Sequence, residues 1–387
     1  MPEESPLSKP FQLGNISLAH RVALAPMTRM RGIKQSGHHI PGDLVVEYYR
    51  QRSSEGGLLI SEGCPISAAG DGFPGSPGIY TYEQAVAWRR VTDAVHKEGG
   101  KVYCQLYHVG RGTVAQIIGG IQPISAVSTP IRGHSFVPGI SFSDAPPRAM
   151  IGPDFNEVLQ QFVASAKLAI DVANFDGVEV HGANGYLLDQ FFHDNVNTRN
   201  DEYGGKRIED RARFPLQVLT AVIAAIGGGK TGFRLSPYNT FQDTEDSDPN
   251  SHWTYICQQI ANLEETVSYV HMIEPRFNGN VEENENNRFS KSLERSLVPF
   301  RDILKTRGIA FIAAGGYSKE DATQKVSAGE ADIVAFGRYF ISNPDLVERL
   351  ARNLPLSKYD RSSFYGAESP EIGYTDYPFF EEPGSSK

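Results

Sequence analysis

Eight short β-rich runs, separated by stretches of helical pattern, leave this chain few folds to choose from. The runs are Arg21–Ala25, Leu58–Ser61, Lys101–Gln105, Gly177–Val180, Gly232–Leu235, Tyr269–Ile273, Ile309–Ile312 and Asp332–Phe336. Helical patterns lie near residues 43–53, 83–98, 155–173, 207–226, 251–264, 292–305, 319–329 and 344–352. Parallel strands need long crossovers, and strict strand–helix alternation supplies one each time. Count and length together predict an α/β fold, a closed (β/α)8 barrel rather than an open sheet. The 387 residues read as one domain, with a core spanning residues 20–352 and a tail, 353–387, packing near the active-site side.

Two kinds of segment fall outside the alternation. Phe11–Leu18, with a turn at Gly14-Asn15, reads as a hairpin placed to cap the bottom of the barrel. Residues 107–154 and 274–291, the latter holding the Asn/Glu-rich stretch Asn278–Asn287, are too long for ordinary connections. Both follow strands, so both are expected over the C-terminal mouth as lids or substrate walls, with a disordered solvated tip the equal alternative for the Asn/Glu-rich stretch.

Composition removes several function classes. A formal net charge of -9 argues against nucleic acid or an anionic membrane as the main partner, because binding such surfaces requires a basic excess. Cys64, Cys104 and Cys257 form no CxxC pair, which supports neither a disulfide framework nor a cysteine zinc site. No HExxH is present either, and no metal is expected. The longest apolar run, around Ala221–Ile226, is far too short to span a bilayer, and the cytoplasm is the expected compartment.

Polar residues and glycines gather at the C-terminal ends of the runs. Pro26 and Thr28 follow the first, Gly63 the second, and Gln105 closes the third. His181, Asn184 and Tyr186 follow the fourth, Arg234 lies in the fifth, Gly315-Gly316 follows the seventh, and Gly337-Arg338 the eighth. In a (β/α)8 barrel this rim carries the chemistry. A ring donor, an amide donor and a phenol within six residues make a compact hydrogen-bonding set, and the phenol can deliver a proton. Glycines after the last two strands let backbone N–H groups approach a phosphate that Arg338 can neutralise. No GxGxxG opens a helix after a strand, so the expected ligand is a mononucleotide lying flat across the mouth.

The string His181-Gly-Ala-Asn-Gly-Tyr186, continued by Leu187-Leu-Asp-Gln-Phe-Phe-His-Asp-Asn-Val-Asn-Thr-Arg-Asn-Asp-Glu-Tyr-Gly-Gly205 and Arg207-Ile-Glu-Asp-Arg-Ala-Arg-Phe214, resembles the old yellow enzyme family. Within it the chain resembles the fungal and plant branch that includes the 12-oxophytodienoate reductases. The resemblance implies non-covalent FMN and NADPH as reductant. It further implies an enone or related activated alkene as substrate, and a monomer or homodimer. It places Pro26, Thr28, Gly63, Gln105, His181, Arg234, Gly315, Gly316, Gly337 and Arg338 around the cofactor. His181 and Asn184 match the pair that holds the substrate oxygen, Tyr186 the proton donor, and Tyr107 and Tyr365 the substrate pocket. Asn184 stands where plant reductases mostly carry a second histidine, and Tyr107 where many relatives carry tryptophan. The implied activity is NADPH-dependent reduction of activated C=C bonds. The alternative is an isomerase or cyclase using the same flavin pocket without net reduction.

Overall fold

The computed structural model describes residues 5–276 and 295–381. Its centre is a closed parallel barrel of eight strands: β3 (Val22–Leu24), β6 (Leu58–Pro65), β7 (Lys101–Tyr107), β10 (Gly177–Gly182), β11 (Thr231–Leu235), β12 (Tyr269–Ile273), β13 (Ala310–Ala314) and β14 (Ile333–Phe336). Pairing of Val334 with Val22 and of Phe336 with Leu24 closes the ring. This is the (β/α)8 barrel that the alternation of patterns predicts.

Alternate residues of each strand face opposite ways, and the two faces differ in chemistry. Val178 and Val180 of β10, Phe233 and Leu235 of β11, and Val270 and Met272 of β12 join the apolar layer beneath the surrounding helices. The other parity faces the barrel axis. Its lower level is Tyr103, Tyr269, Ala310 and Ile333, packed on Leu13, Ile16 and Leu18 of the N-terminal hairpin β1 (Phe11–Leu13) and β2 (Ile16–Leu18). The hairpin therefore plugs the barrel floor. Gly232 serves this level: a Cβ there would overlap the Tyr269 ring.

The helices form where local chemistry starts them. The Thr81 hydroxyl accepts from the Gln84 N–H at 3.2 Å while Gln84 Oε1 accepts from the Thr81 N–H at 3.1 Å, a reciprocal cap for Tyr82–Lys97. Asp248 and Ser318 cap Pro249–Ala261 and Lys319–Ser327 in the simpler way. The pattern near 155–173 resolves into an α-helix, Gly152–Lys167, ending in a π-helical turn, Leu168–Val172.

Several boundaries differ from the sequence reading. β6, β7 and β10 run two to four residues beyond the expected ends, so Gly63, Tyr107 and His181 lie inside strands. Polar side chains at these tops face the mouth without leaving the backbone ladder, so polarity misplaces the ends. Leu187–Phe192 and Arg338–Ser342 are short helices, and Ile33–Gln35 pairs with His38–Ile40 as an added hairpin, none of them anticipated. Within the long segment 107–154, Ile124–Ser125 pairs with Arg148–Ala149. Asn278–Asn287, expected as either a lid or a solvated tip, lies outside the described residues, as does the start of the helix expected near 292–305, which is seen as Val298–Lys305.

The tail returns to the mouth. Arg29 donates to the carbonyls of Phe364 at 3.0 Å and Gly373 at 2.7 Å. Arg31 donates to those of Ser363 at 2.9 Å, Pro370 at 3.2 Å and Ile372 at 3.3 Å. Tyr374 stacks on Tyr48 with centroids 4.3 Å apart. Two arginines just past β3 thus hold the segment that carries Tyr365.

Candidate active site

The inward parity turns polar toward the top of the barrel. Glu179 pairs in register with Gln105, His181 with Arg234, and Arg234 with His271. All five are buried. Gln105 Nε2 donates to Glu179 Oε1 at 2.7 Å, and His271 Nδ1 lies 2.9 Å from Glu179 Oε2. Burial pushes the Glu179 carboxyl up, but His271, Arg234 and Gln105 outweigh it and hold the group below the usual carboxylate range. Burial lowers the His271 pKa against the pull of Glu179, so its ring is the neutral donor of the pair. Arg234 is also lowered by burial, with Glu179 as its chief opposing partner, and a guanidinium keeps its charge under such shifts. The level is thus one carboxylate set against one cation.

His181 has a determined tautomer. The Ala183 N–H donates to its Nδ1 at 3.2 Å, so Nδ1 is an acceptor and the proton sits on Nε2. Burial first, then Arg234 and His271, hold its pKa well below the ordinary value, which keeps the ring neutral. Asn184 and Tyr186 follow on the turn after β10, half-buried where His181 is buried. The Tyr186 ring is 5.1 Å from that of His181 and 5.4 Å from that of Tyr107. Burial, then Tyr365, push the Tyr186 hydroxyl up against a smaller pull from Arg234. Tyr365 is 54% exposed, on the tail segment that Arg29 and Arg31 hold. Phe136, from the long segment 107–154, meets Phe73 at 5.0 Å, and Phe73 meets Tyr186 at 6.4 Å, completing an aromatic wall.

A cavity with ≈ 600 Å³ of empty space opens beside these groups. Pro26, Arg234, Gly315, Gly316, Gly337 and Arg338 line it, as the sequence expects of a cofactor site. Met27, Ile273, Tyr317 and Tyr339 line it too and were not anticipated, although each sits at or just past a strand end. Thr28 is half-buried, one residue beyond Met27. Gly63 lies under the Tyr107 ring, where a Cβ would sit 3.0 Å from Cδ1. Gly315 and Gly316 have φ of 139° and 66°, and a Cβ at Gly315 would stand 2.7 Å from that of Glu274, so this loop depends on glycine. Arg338 stacks on Tyr359 with its guanidinium carbon 5.8 Å from the ring centre.

Two observations test whether a flavin mononucleotide suits the cavity. The Arg234 Nε–H is buried without a partner, a donor waiting for an acceptor beside the mouth. The glycine loops after β13 and β14, with Arg338, line the same cavity, and backbone of this kind accommodates a phosphate. The donor set fits. The Glu179 partner of Gln105 was the part that sequence reasoning missed: besides the cofactor role expected of Gln105, one N–H of its amide donates to Glu179. The signal was a glutamate between two valines of a strand otherwise suited to complete burial.

A barrel with this donor set at its mouth defines a flavin oxidoreductase. Residues 6–357 match the NADH:flavin oxidoreductase / NADH oxidase family, and the chain belongs to that family, among the old yellow enzymes. It is 51% identical over 381 residues to flavin oxidoreductase hxnT of Emericella nidulans, covering 97% of each chain. It is 43% identical to the putative 12-oxophytodienoate reductase 3 of Oryza sativa subsp. japonica, covering 97% of this chain and 93% of the other. Among solved structures it is similar to the old yellow enzyme homologue from Zymomonas mobilis, with a TM-score of 0.86 at 34% identity, covering 97% and 99% of the two chains. It is also similar to morphinone reductase, with a TM-score of 0.84 at 34% identity and 99% coverage of both chains. Among the described residues no helix is long and apolar enough to cross a membrane.

Proposed function

We propose that the protein reduces the C=C bond of α,β-unsaturated carbonyl compounds, with non-covalent FMN as cofactor and NADPH as reductant. The observation that carries this reading is the fixed tautomer of His181. Its Nε2–H is a neutral, buried donor on the same parity as Arg234, with the Asn184 amide and the Tyr186 phenol on the turn that follows. When bound, FMN would supply the hydride chemistry that links NADPH to the alkene carbon β to the carbonyl.

The residues supply everything else. His181 Nε2–H and the Asn184 amide donate to the carbonyl oxygen, and each donor aimed at the developing enolate contributes about 10² to 10³ in rate. Tyr186 delivers its hydroxyl proton to the α carbon, and the resulting phenolate is reprotonated from solvent. Its raised pKa keeps the proton in place until the enolate, a far stronger base, is present. Arg234 would oppose negative charge on the reduced cofactor. Gly315, Gly316, Gly337 and Arg338 would hold its phosphate, Pro26 and Thr28 its ring, and Tyr107 and Tyr365 would bound the substrate. The aromatic wall favours a flat apolar substrate with a single oxygen acceptor.

The deciding experiment is anaerobic: NADPH is added to the purified yellow protein, followed by 2-cyclohexenone. Bleaching of the visible flavin band and its return with the enone is expected. A band that bleaches and does not recover with any enone would refute the substrate class. Replacing both His181 and Asn184 by alanine is expected to abolish the long-wavelength band that phenols give when stacked on the flavin.

A further inference from the structure

Behind the turn that carries Asn184 and Tyr186 lies a buried ionic group that the chemistry above does not use. Asp189, on the helix Leu187–Phe192, is fully buried, as are His193 and Ser236. Asp189 Oδ2 accepts the Gly185 N–H at 2.7 Å and the Ser236 hydroxyl at 3.4 Å, and the Ser236 Oγ accepts the Asn184 N–H at 2.9 Å. The Asn184 and Gly185 backbone donors thus end on this one carboxylate, directly or through one hydroxyl, while the Tyr186 N–H donates to the Ala183 carbonyl at 3.3 Å.

The other oxygen of Asp189 faces His193, with Nε2 at 3.2 Å, off the line of an ideal hydrogen bond. His193 Nδ1 lies 2.9 Å from Asp246 Oδ2. An imidazole with a carboxylate against each nitrogen carries a proton on both, so the group is an imidazolium between two carboxylates. Asp246 is anchored in turn by the Asp194 N–H at 3.2 Å and the Trp253 indole N–H at 3.0 Å. His252 stands 3.7 Å from Asp246, with Arg211 donating to its ring at 2.9 Å.

Asn184 needs such support. Its φ is 58°, in the left-handed region where a residue with a side chain is strained, and strain of this kind persists only where the surroundings over-determine it. A second brace acts from the opposite side: Gln190 Nε2 donates to the Gly185 carbonyl at 2.7 Å, and its Oε1 accepts from Ser125 at 2.9 Å.

We propose that His193, bridging Asp189 and Asp246, is a positioning residue that holds the Asn184–Tyr186 turn in the geometry in which its amide and phenol meet the substrate. This rests on the oxygen-binding reading of that turn. Asp246 belongs to the loop after β11, so the relay ties the turn after β10 to its neighbour and does not brace it from its own helix alone.

The test pairs a readout of the turn with a readout of the site, using His193→Gln and, should that variant fold poorly, Ser236→Ala, which removes the Asn184 N–H acceptor and leaves His193 and Asp246 intact. Hydrogen exchange of a peptide spanning residues 183–187 is expected to accelerate about tenfold, and the dissociation constant of 4-hydroxybenzaldehyde, read from its long-wavelength band, to rise about tenfold, with FMN still bound. Ser236→Thr, which keeps the hydroxyl, is expected to restore both. Unchanged exchange in both variants would overturn the relay, and faster exchange with unchanged phenol affinity would overturn its positioning role. A wild-type protein that gives no phenol band would refute the oxygen site and the positioning role with it, while amide exchange would still report whether the brace itself is real.

Discussion

Arg234 and Glu179 lie on the inward parity of adjacent strands, a cation and a carboxylate where the mouth begins, Arg234 in register with His181 and Glu179 with Gly232. Both are buried, and while His271 leads Arg234 in holding the Glu179 charge, Glu179 is the chief group supporting the charge on Arg234. Arg234→Met leaves Glu179 with its hydrogen bonds from His271 and Gln105 but without the nearby cation, and is expected to cost about 1–3 kcal/mol of stability. Arg234→Met combined with Glu179→Gln should recover part of that loss in a denaturant titration. Both variants should hold the flavin at a more negative reduction potential than the parent, because the cation that opposes reduced-flavin charge is gone.

Tyr186→Phe keeps the ring beside His181 and removes only the proton. Oxidation of the reduced enzyme by 2-cyclohexenone is expected to slow by about 10² to 10⁴, with flavin reduction by NADPH unchanged, in stopped-flow measurements of the two half-reactions. Because the hydroxyl pKa is raised, the parent enzyme's enone step should show no alkaline loss near pH 10 from this group. Equal slowing of both half-reactions would remove Tyr186 from proton delivery.

His193 gives stability a pH dependence with a definite sign. Asp189 and Asp246 raise its pKa from 6.5 to about 10, against burial, which lowers it. The folded state therefore binds a proton more tightly than the unfolded one. That stabilisation is fully present below pH 6.5 and is lost as pH rises through 10. Melting temperatures measured between pH 6 and 10 should fall more steeply for the parent than for His193→Gln. Parallel curves would show that the ring is neutral in the folded protein.

Arg31 spends its guanidinium on tail carbonyls from Ser363 to Ile372. Arg31→Ala should raise hydrogen exchange across residues 363–374 and open the tail to limited proteolysis, leaving the barrel strands as protected as before. Protection of the tail in the variant would mean that Arg29 and the Tyr48–Tyr374 stack suffice on their own.

The barrel was legible because strands buried on both faces read as apolar runs, with helical spacing between them. Strand ends were not, since His181 and Tyr107 look like loop residues in sequence while remaining in the ladder. The rim donors were legible one by one. Their supports were not, because the partners are remote: His271 is 92 positions from Glu179, and Asp246 is 53 from His193. In sequence His193 suggests at most a metal ligand, whereas its contacts are two carboxylates. The clamp of Arg29 and Arg31 on the tail spans more than three hundred residues and leaves no local trace.

The alternation of inward and outward side chains along β10 and β11 makes folding its own proofreader. A slip of one residue in either strand would turn Glu179, His181 or Arg234 against the helices and bring valine, phenylalanine or leucine to the mouth. No half-working enzyme lies on that path, because the error that spoils the donors also spoils the core. Novelty in such a protein is confined to the loops beyond the strands, where length and composition can drift without shifting the reading frame of the barrel.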